Sequence, residues 1–94
     1  MNNTLKTSVR YITASYCGAC CVYAPVIEKA VTELGLPFEK LDAEDDCREV
    51  AHLNVSALPT TILMRGGQEQ RRWEGAYSPK KTLELLLGPA TPRD

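Results

Sequence analysis

From Ser8 to Ser15 (SVRYITAS) the side chains alternate, with Val9, Tyr11 and Thr13 on one side and Arg10, Ile12 and Ala14 on the other, which predicts a strand. The period then changes. Between Gly18 and Leu34, Val22, Val26, Ile27, Ala30, Val31 and Leu34 recur at helical spacing, and Gly35 supplies a stop. Pro25 falls inside that helix and, lacking an N–H for the preceding turn, should bend it. PFEKLDA (Pro37 to Ala43) reads as a second strand, and DDCREVAHLN as a short helix capped by Asp45 or Asp46. TTILMR (Thr60 to Arg65) is the strongest strand signal; Gly66-Gly67 predicts a hairpin turn, and EQRRWEG the returning strand. Ser78 is placed as an N-cap with Pro79 at the first helical position. PKKTLELLL then sets Leu83, Leu86 and Leu87 on one face and stops at Gly88-Pro89. The order is β-α-β-α-β-β-α, an α/β class. Strands joined through helices are expected to be parallel and the hairpin antiparallel, giving a mixed four-stranded sheet with helices on both faces.

Length and composition narrow this to one domain over residues 1–94, with residues 1–7 and 89–94 expected to be flexible ends. A net charge of −1 leaves no electrostatic footprint for nucleic acid or an anionic membrane surface. The acidic run from Asp42 to Asp46 is short enough to be a solvated loop or helix start. No apolar run approaches the ~20 residues of a spanning helix. The N-terminus has no continuous apolar stretch of the secretory kind, so the expected compartment is reducing and cytoplasmic.

In such a compartment cysteines are more often reactive or metal-bound than structural, and three of the four here fall within SYCGACCVYAP (Ser15 to Pro25). Cys17 and Cys20 form a Cys-x-x-Cys pair where a strand gives way to a helix. Only a thiolate attacks a disulfide, and a free cysteine, with a pKa of ~8.5, is mostly protonated at neutral pH. The first turn of a helix offers unpaired N–H groups and a partial positive charge, so Cys17 is expected to have a lowered pKa. Cys20 lies one turn deeper, close enough to bridge and less accessible. Cys17 is therefore the candidate nucleophile and Cys20 the candidate resolving thiol. A rival is zinc, with Cys47 and His52 completing a four-ligand set; the pair's position at the head of a long helix, away from loops or knuckles, argues against it.

These residues resemble the thioredoxin superfamily, thioredoxin more than glutaredoxin, over nearly all of Val9 to Leu87. YCGAC looks like the family's aromatic-Cys-Gly-Pro-Cys site. Pro25 falls where thioredoxins bend their active-site helix. NVSALPTTILMRGG is similar to the segment holding a cis-proline, here Pro59, and WEGAYSPKKTLELL to the last strand, its Gly-Ala turn and the final helix. The resemblance implies a cis Leu58–Pro59 bond and a flat apolar docking rim made by Gly18, Ala19, Leu58, Pro59, Gly75 and Ala76, with Tyr16 in the aromatic position before Cys17. It implies a thiol–disulfide oxidoreductase, monomeric, acting on protein disulfides, needing no cofactor of its own and recharged by a thioredoxin-reductase-type donor, with roles in electron transport and redox homeostasis.

The departures are specific. Ala19 replaces the family's proline between the cysteines, a position that influences redox potential. Tyr11 stands where thioredoxins bury an aspartate that assists proton transfer from the resolving thiol, while Lys40 aligns with the lysine beside it. Cys20 is then left to water, or to Glu39 or Asp42 if either points inward. The chain opens about one strand and one helix short of a full thioredoxin, and the glutaredoxin signatures for glutathione are absent. Rival functions are a metal module using Cys17 and Cys20 with Cys21 or Cys47, and a docking protein of weak catalysis. Cys21 is read as a small buried residue, Cys47 as an exposed thiol, His52 as a surface residue and Trp73 as packing.

Overall fold

The computed structural model describes residues 6–88. Its elements are β1 (Thr7–Thr13), α1 (Gly18–Leu34), β2 (Phe38–Asp42), α2 (Cys47–Ala51), β3 (Thr60–Arg65), β4 (Gln68–Glu74) and α3 (Pro79–Leu87), in the order the sequence predicts. Thr7, expected to belong to a flexible end, lies in β1 instead. Thr7 already pairs with Arg65, and Lys6 accepts a hydrogen bond from Gly66 N–H at 2.8 Å. The ends at 1–5 and 89–94 lie outside the described residues.

The strands are ordered β2-β1-β3-β4. β1 runs parallel to β2, antiparallel to β3, and β3 antiparallel to β4. The expectation that every helix-linked pair is parallel therefore fails for β2 and β3, which run in opposite directions. The cause is the connecting helix: five residues of α2 span only ~7.5 Å, too little to carry the chain back along the sheet. The chain leaves β2 at Asp42 and enters β3 at Thr60, beside Thr13 and Ile12, at the same end of β1. Gly66 and Gly67 close the hairpin with φ of 61° and 81°, the left-handed geometry that a two-residue turn demands and that glycine adopts without strain. Gln70 is left over where the register shifts between Leu63 and Met64, a bulge in β4.

Alternation along the strands divides the core between two faces. On one, Val9, Tyr11, Leu63 and Trp73 pack against Tyr23, Ile27, Ala30 and Val31 of α1 and Leu86 of α3. On the other, Ile12, Leu41 and Ile62 are covered by Val50, Leu53, Val55 and Leu58, from α2 and the segment after it. Helices on both faces are thus observed. Trp73 is a packing residue, as expected, and its indole N–H donates to the Tyr23 hydroxyl at 3.2 Å. That hydroxyl also shares a 2.7 Å hydrogen bond with Thr82 Oγ1, so α1, α3 and β4 are joined by buried polar contacts. Arg72 ties the segment after α2 to β4 by donating to the Leu53 carbonyl at 2.9 Å.

The buried stripe of α1 differs from the one the spacing suggests. It is Cys20, Tyr23, Ile27, Ala30 and Val31, leaving Val22 at 68% exposure. The helix turns Tyr23 inward because its hydroxyl has partners there, and the rotation carries Val22 outward. Likewise Thr82 and Leu86 are the buried residues of α3, and Leu87 is 66% exposed. Gly35 ends α1 in the left-handed conformation at φ 68°, returning its N–H to Thr32 O. Ser78 caps α3 by accepting Lys81 N–H at 3.1 Å. Asp46 precedes α2 but makes no side-chain cap; its carboxylate accepts Asp42 N–H at 2.8 Å instead.

Candidate active site

The end of β1 delivers the chain through Ala14, Ser15 and Tyr16 to Cys17, whose extended backbone (φ −99°, ψ 109°) makes it the N-cap of α1. Its sulfur accepts the Cys20 N–H at 3.1 Å, the place an oxygen takes in an ordinary cap. Cys17 and Cys20 are joined in a disulfide with their Cα atoms 5.2 Å apart. The two sulfur-bearing residues differ in depth: Cys17 is half-buried, whereas Cys20 has no exposed surface. Gly18 and Ala19 between them are exposed and small, and Tyr16 is 69% exposed.

Under this turn lies Tyr11, fully buried in β1. Its hydroxyl donates to the Cys20 carbonyl at 2.8 Å. The peptide that follows that carbonyl carries the Cys21 N–H, which donates to Cys17 O at 3.2 Å, so one peptide unit links the phenol of β1 to the residue that caps the helix. Pro25 removes the N–H that would reach the Cys21 carbonyl in a regular helix, and the Tyr11 bond adds a sheet-to-helix contact one residue earlier. Burial pushes the Tyr11 phenol far above its ordinary pKa, and the negative charges that Tyr23, Cys21 and Glu28 can carry push it further, so it stays a neutral donor. Its ring packs against Tyr23 and Phe38, at centroid distances of 6.1 and 6.2 Å. This contact escapes sequence reasoning because it joins positions nine apart through tertiary structure.

The Leu58–Pro59 peptide bond is cis, as the resemblance implies. Leu58 joins Tyr16 and Cys17 in the wall of an apolar groove, together with Val50, Val55 and Ala57. Pro59 is buried, and its carbonyl accepts the N–H of Gly75 at 2.9 Å, bringing those two rim positions together. Gly75 adopts φ 93°, a conformation that favours glycine; Ala76 beside it is exposed. A second cavity, of about 220 Å3, has Thr13, Cys20, Cys21, Ala24, Lys40 and Asp42 among its walls.

Cys21 is exposed, against the expectation that it packs as a small buried residue, because the rotation that buries Cys20 and Tyr23 turns the position between them outward. Cys47 is exposed, as expected, and so is His52. Among the described residues no group of three or more His, Cys, Asp or Glu side chains is gathered to hold a metal ion, so the set of Cys17, Cys20, Cys47 and His52 is not assembled. No described helix is long and apolar enough to cross a membrane. Glu39 faces Arg10 at 3.2 Å, on the side of β2 opposite to Lys40, and does not serve the cysteine pair. Lys40 lies 3.5 Å from Glu28.

The geometry has relatives. The thioredoxin family model matches residues 2–87. Thioredoxin H2-1 of rice (Oryza sativa subsp. japonica) is 42% identical over 88 residues, covering 89% of this chain and 63% of that protein. A thioredoxin of Mycobacterium tuberculosis is 37% identical over 75 residues, covering 78% of this chain and 65% of that protein. The chain thus spans a little under two thirds of the length of these two curated relatives. Among solved structures, Fasciola hepatica thioredoxin superposes with a TM-score of 0.80 at 29% identity, covering 89% of this chain and 81% of that one. A match that runs from the first strand to the last helix, on a fold shared with a solved thioredoxin, has one reading: this chain belongs to the thioredoxin family.

Proposed function

We propose that the protein is a thiol–disulfide oxidoreductase that exchanges its Cys17–Cys20 pair with disulfides in other proteins. The observation that carries this reading is the disulfide itself, set at the head of α1 with one sulfur reachable and the other buried. In the reduced protein the Cys20 N–H and the positive end of a 17-residue helix favour the thiolate of Cys17. That thiolate attacks one sulfur of a substrate disulfide. A bond from Cys17 Sγ to substrate forms, the substrate S–S bond breaks, and the leaving sulfur takes up a proton. Cys20, having lost its proton, attacks Cys17 Sγ; the Cys17–Cys20 bond forms and the second substrate sulfur leaves and is protonated. Two electrons pass to the substrate, and a thioredoxin-reductase-type donor returns them to the oxidised pair.

Docking falls to Tyr16, Gly18, Ala19, Leu58, Pro59, Gly75 and Ala76. The apolar groove shared by Tyr16, Cys17 and Leu58 supports this, since it offers an extended peptide a dry surface beside the sulfur. The protein works as a monomer in the cytoplasm, as one domain. The test is insulin reduction by dithiothreitol. The protein accelerates it, and Cys17→Ser abolishes the acceleration. Acceleration that survives in Cys17→Ser removes the reading, and stoichiometric zinc in the purified protein replaces it with a metal module.

A further inference from the structure

The resolving step requires Cys20 to lose a proton although the residue has no exposed surface. A general base within direct or one-water reach speeds such a transfer. We infer that Asp42 is the proton acceptor for Cys20, reached through water in the cavity that the two residues share. This rests on the oxidoreductase reading and adds the group that takes the proton.

The groups around Cys20 leave few candidates. Tyr11 faces it from β1, but its hydroxyl is spent donating to the Cys20 carbonyl, and a neutral phenol is a poor proton acceptor. Glu39 is paired with Arg10 on the opposite side of the strand. Glu28 is paired with Lys40. The cavity wall that includes Cys20 carries one carboxylate, Asp42, with Lys40 and the exposed thiol of Cys21 as the other titratable groups. Asp42 is half-buried and held in place: its Oδ1 accepts the N–H of Glu44 at 2.8 Å and of Asp45 at 3.0 Å, and its own N–H donates to Asp46. Among the described residues Oδ2 accepts no hydrogen bond. Both residues line this one cavity, and its volume of about 220 Å3 leaves room for bridging waters at ~30 Å3 each. The step balances: the Cys20 S–H proton passes to water as water passes a proton to Asp42, and the Cys20 thiolate displaces the substrate sulfur from Cys17. Lys40, two residues away on the same side of β2, favours the thiolate that results.

The experiment measures single-turnover decay of the mixed disulfide between Cys17 and a model disulfide substrate in wild type, Asp42→Asn and Asp42→Ser. Asparagine keeps an oxygen for the Glu44 and Asp45 N–H groups and removes the base; serine keeps a smaller acceptor. Decay is expected to slow at least ~10-fold at neutral pH in both variants. The alkylation rate of Cys17 in the reduced proteins and the thermal midpoints should hold, which separates a lost base from a damaged fold. Small carboxylates such as acetate, added as external bases, should restore part of the Asp42→Asn rate. Wild-type decay rates in folded Asp42→Asn or Asp42→Ser overturn the inference while leaving the oxidoreductase reading intact. Absence of any Cys17 mixed disulfide in wild type overturns both. If neither variant folds, the wild-type mixed disulfide should still decay more slowly in acid, where its proton acceptor is neutralised; a decay rate that does not change with pH overturns the inference.

Discussion

Replacing Tyr11 by phenylalanine removes one oxygen and tests whether the sheet holds the active-site turn. The ring contacts with Tyr23 and Phe38 stay, so the loss is confined to the 2.8 Å bond to the Cys20 carbonyl. In a regular helix that carbonyl also accepts the N–H four residues on, so losing the phenol need not orphan it. The cost is then the net worth of one buried hydrogen bond, about 1 kcal/mol, and not the larger penalty of an unsatisfied group. For a domain of this size that lowers the thermal midpoint by about 4–8 °C. Tyr11→Ala, which also empties ring volume, should cost about 3–5 kcal/mol. The difference between wild type and Tyr11→Phe also has a pH signature. The folded state raises the phenol's pKa above its unfolded value of 10.0, so the stability it contributes is complete below that value and is lost as pH rises above it. The loss runs at about 1.4 kcal/mol per pH unit, so the advantage of wild type should vanish near pH 11 and reverse beyond it. Chemical denaturation of both oxidised proteins at pH 7 and across the alkaline range reads both effects. Equal stability at pH 7, or a wild-type advantage that persists beyond about pH 11, refutes the buried neutral donor.

Four further outcomes follow from other parts of the structure. Ile27→Ala, in the fully buried stripe of α1, should cost about 2–5 kcal/mol in a urea titration; a loss below 1 kcal/mol would mean the site collapses around the gap. Ser78→Ala should cost about 1 kcal/mol in the same assay, because it deprives Lys81 N–H of its acceptor. Thr61→Val should raise stability by about 1 kcal/mol, since Thr61 Oγ1 is buried with no partner among the described residues; destabilisation would show that water serves it. A thiol reagent applied to the native oxidised protein should count two sulfhydryls, Cys21 and Cys47, and all four after reduction and unfolding; a native count below two contradicts the exposure of Cys21.

Much of the fold was legible because its boundaries are written in local chemistry. Gly35 can hold the left-handed residue that ends α1, Gly66-Gly67 a turn with two positive φ angles, and Ser78-Pro79 a capped helix start. The Cys-x-x-Cys pair and its unequal depth were legible for the same reason, since a separation of three residues at a helix start fixes both. What could not be read depends on partners distant in sequence. Two apolar stripes compete on α1, one through Val22 and one through Tyr23, and only the presence of Thr82 and Trp73 across the core selects the second. Cys21 follows that choice to the surface. The direction of β3 depends on how far the chain between β2 and β3 can travel, and the short length of α2 settles it. The place of Asp42 in the wall around Cys20 needs β2 beside β1, a pairing no local pattern encodes.

The head of α1 should make Cys17 a thiolate at neutral pH. The rate of Cys17 alkylation by iodoacetamide in the reduced protein, followed by mass spectrometry from pH 4 to pH 10, tests it most directly. The midpoint should lie clearly below the ~8.5 of a free cysteine. A Cys17 midpoint at or above ~8.5 would contradict it.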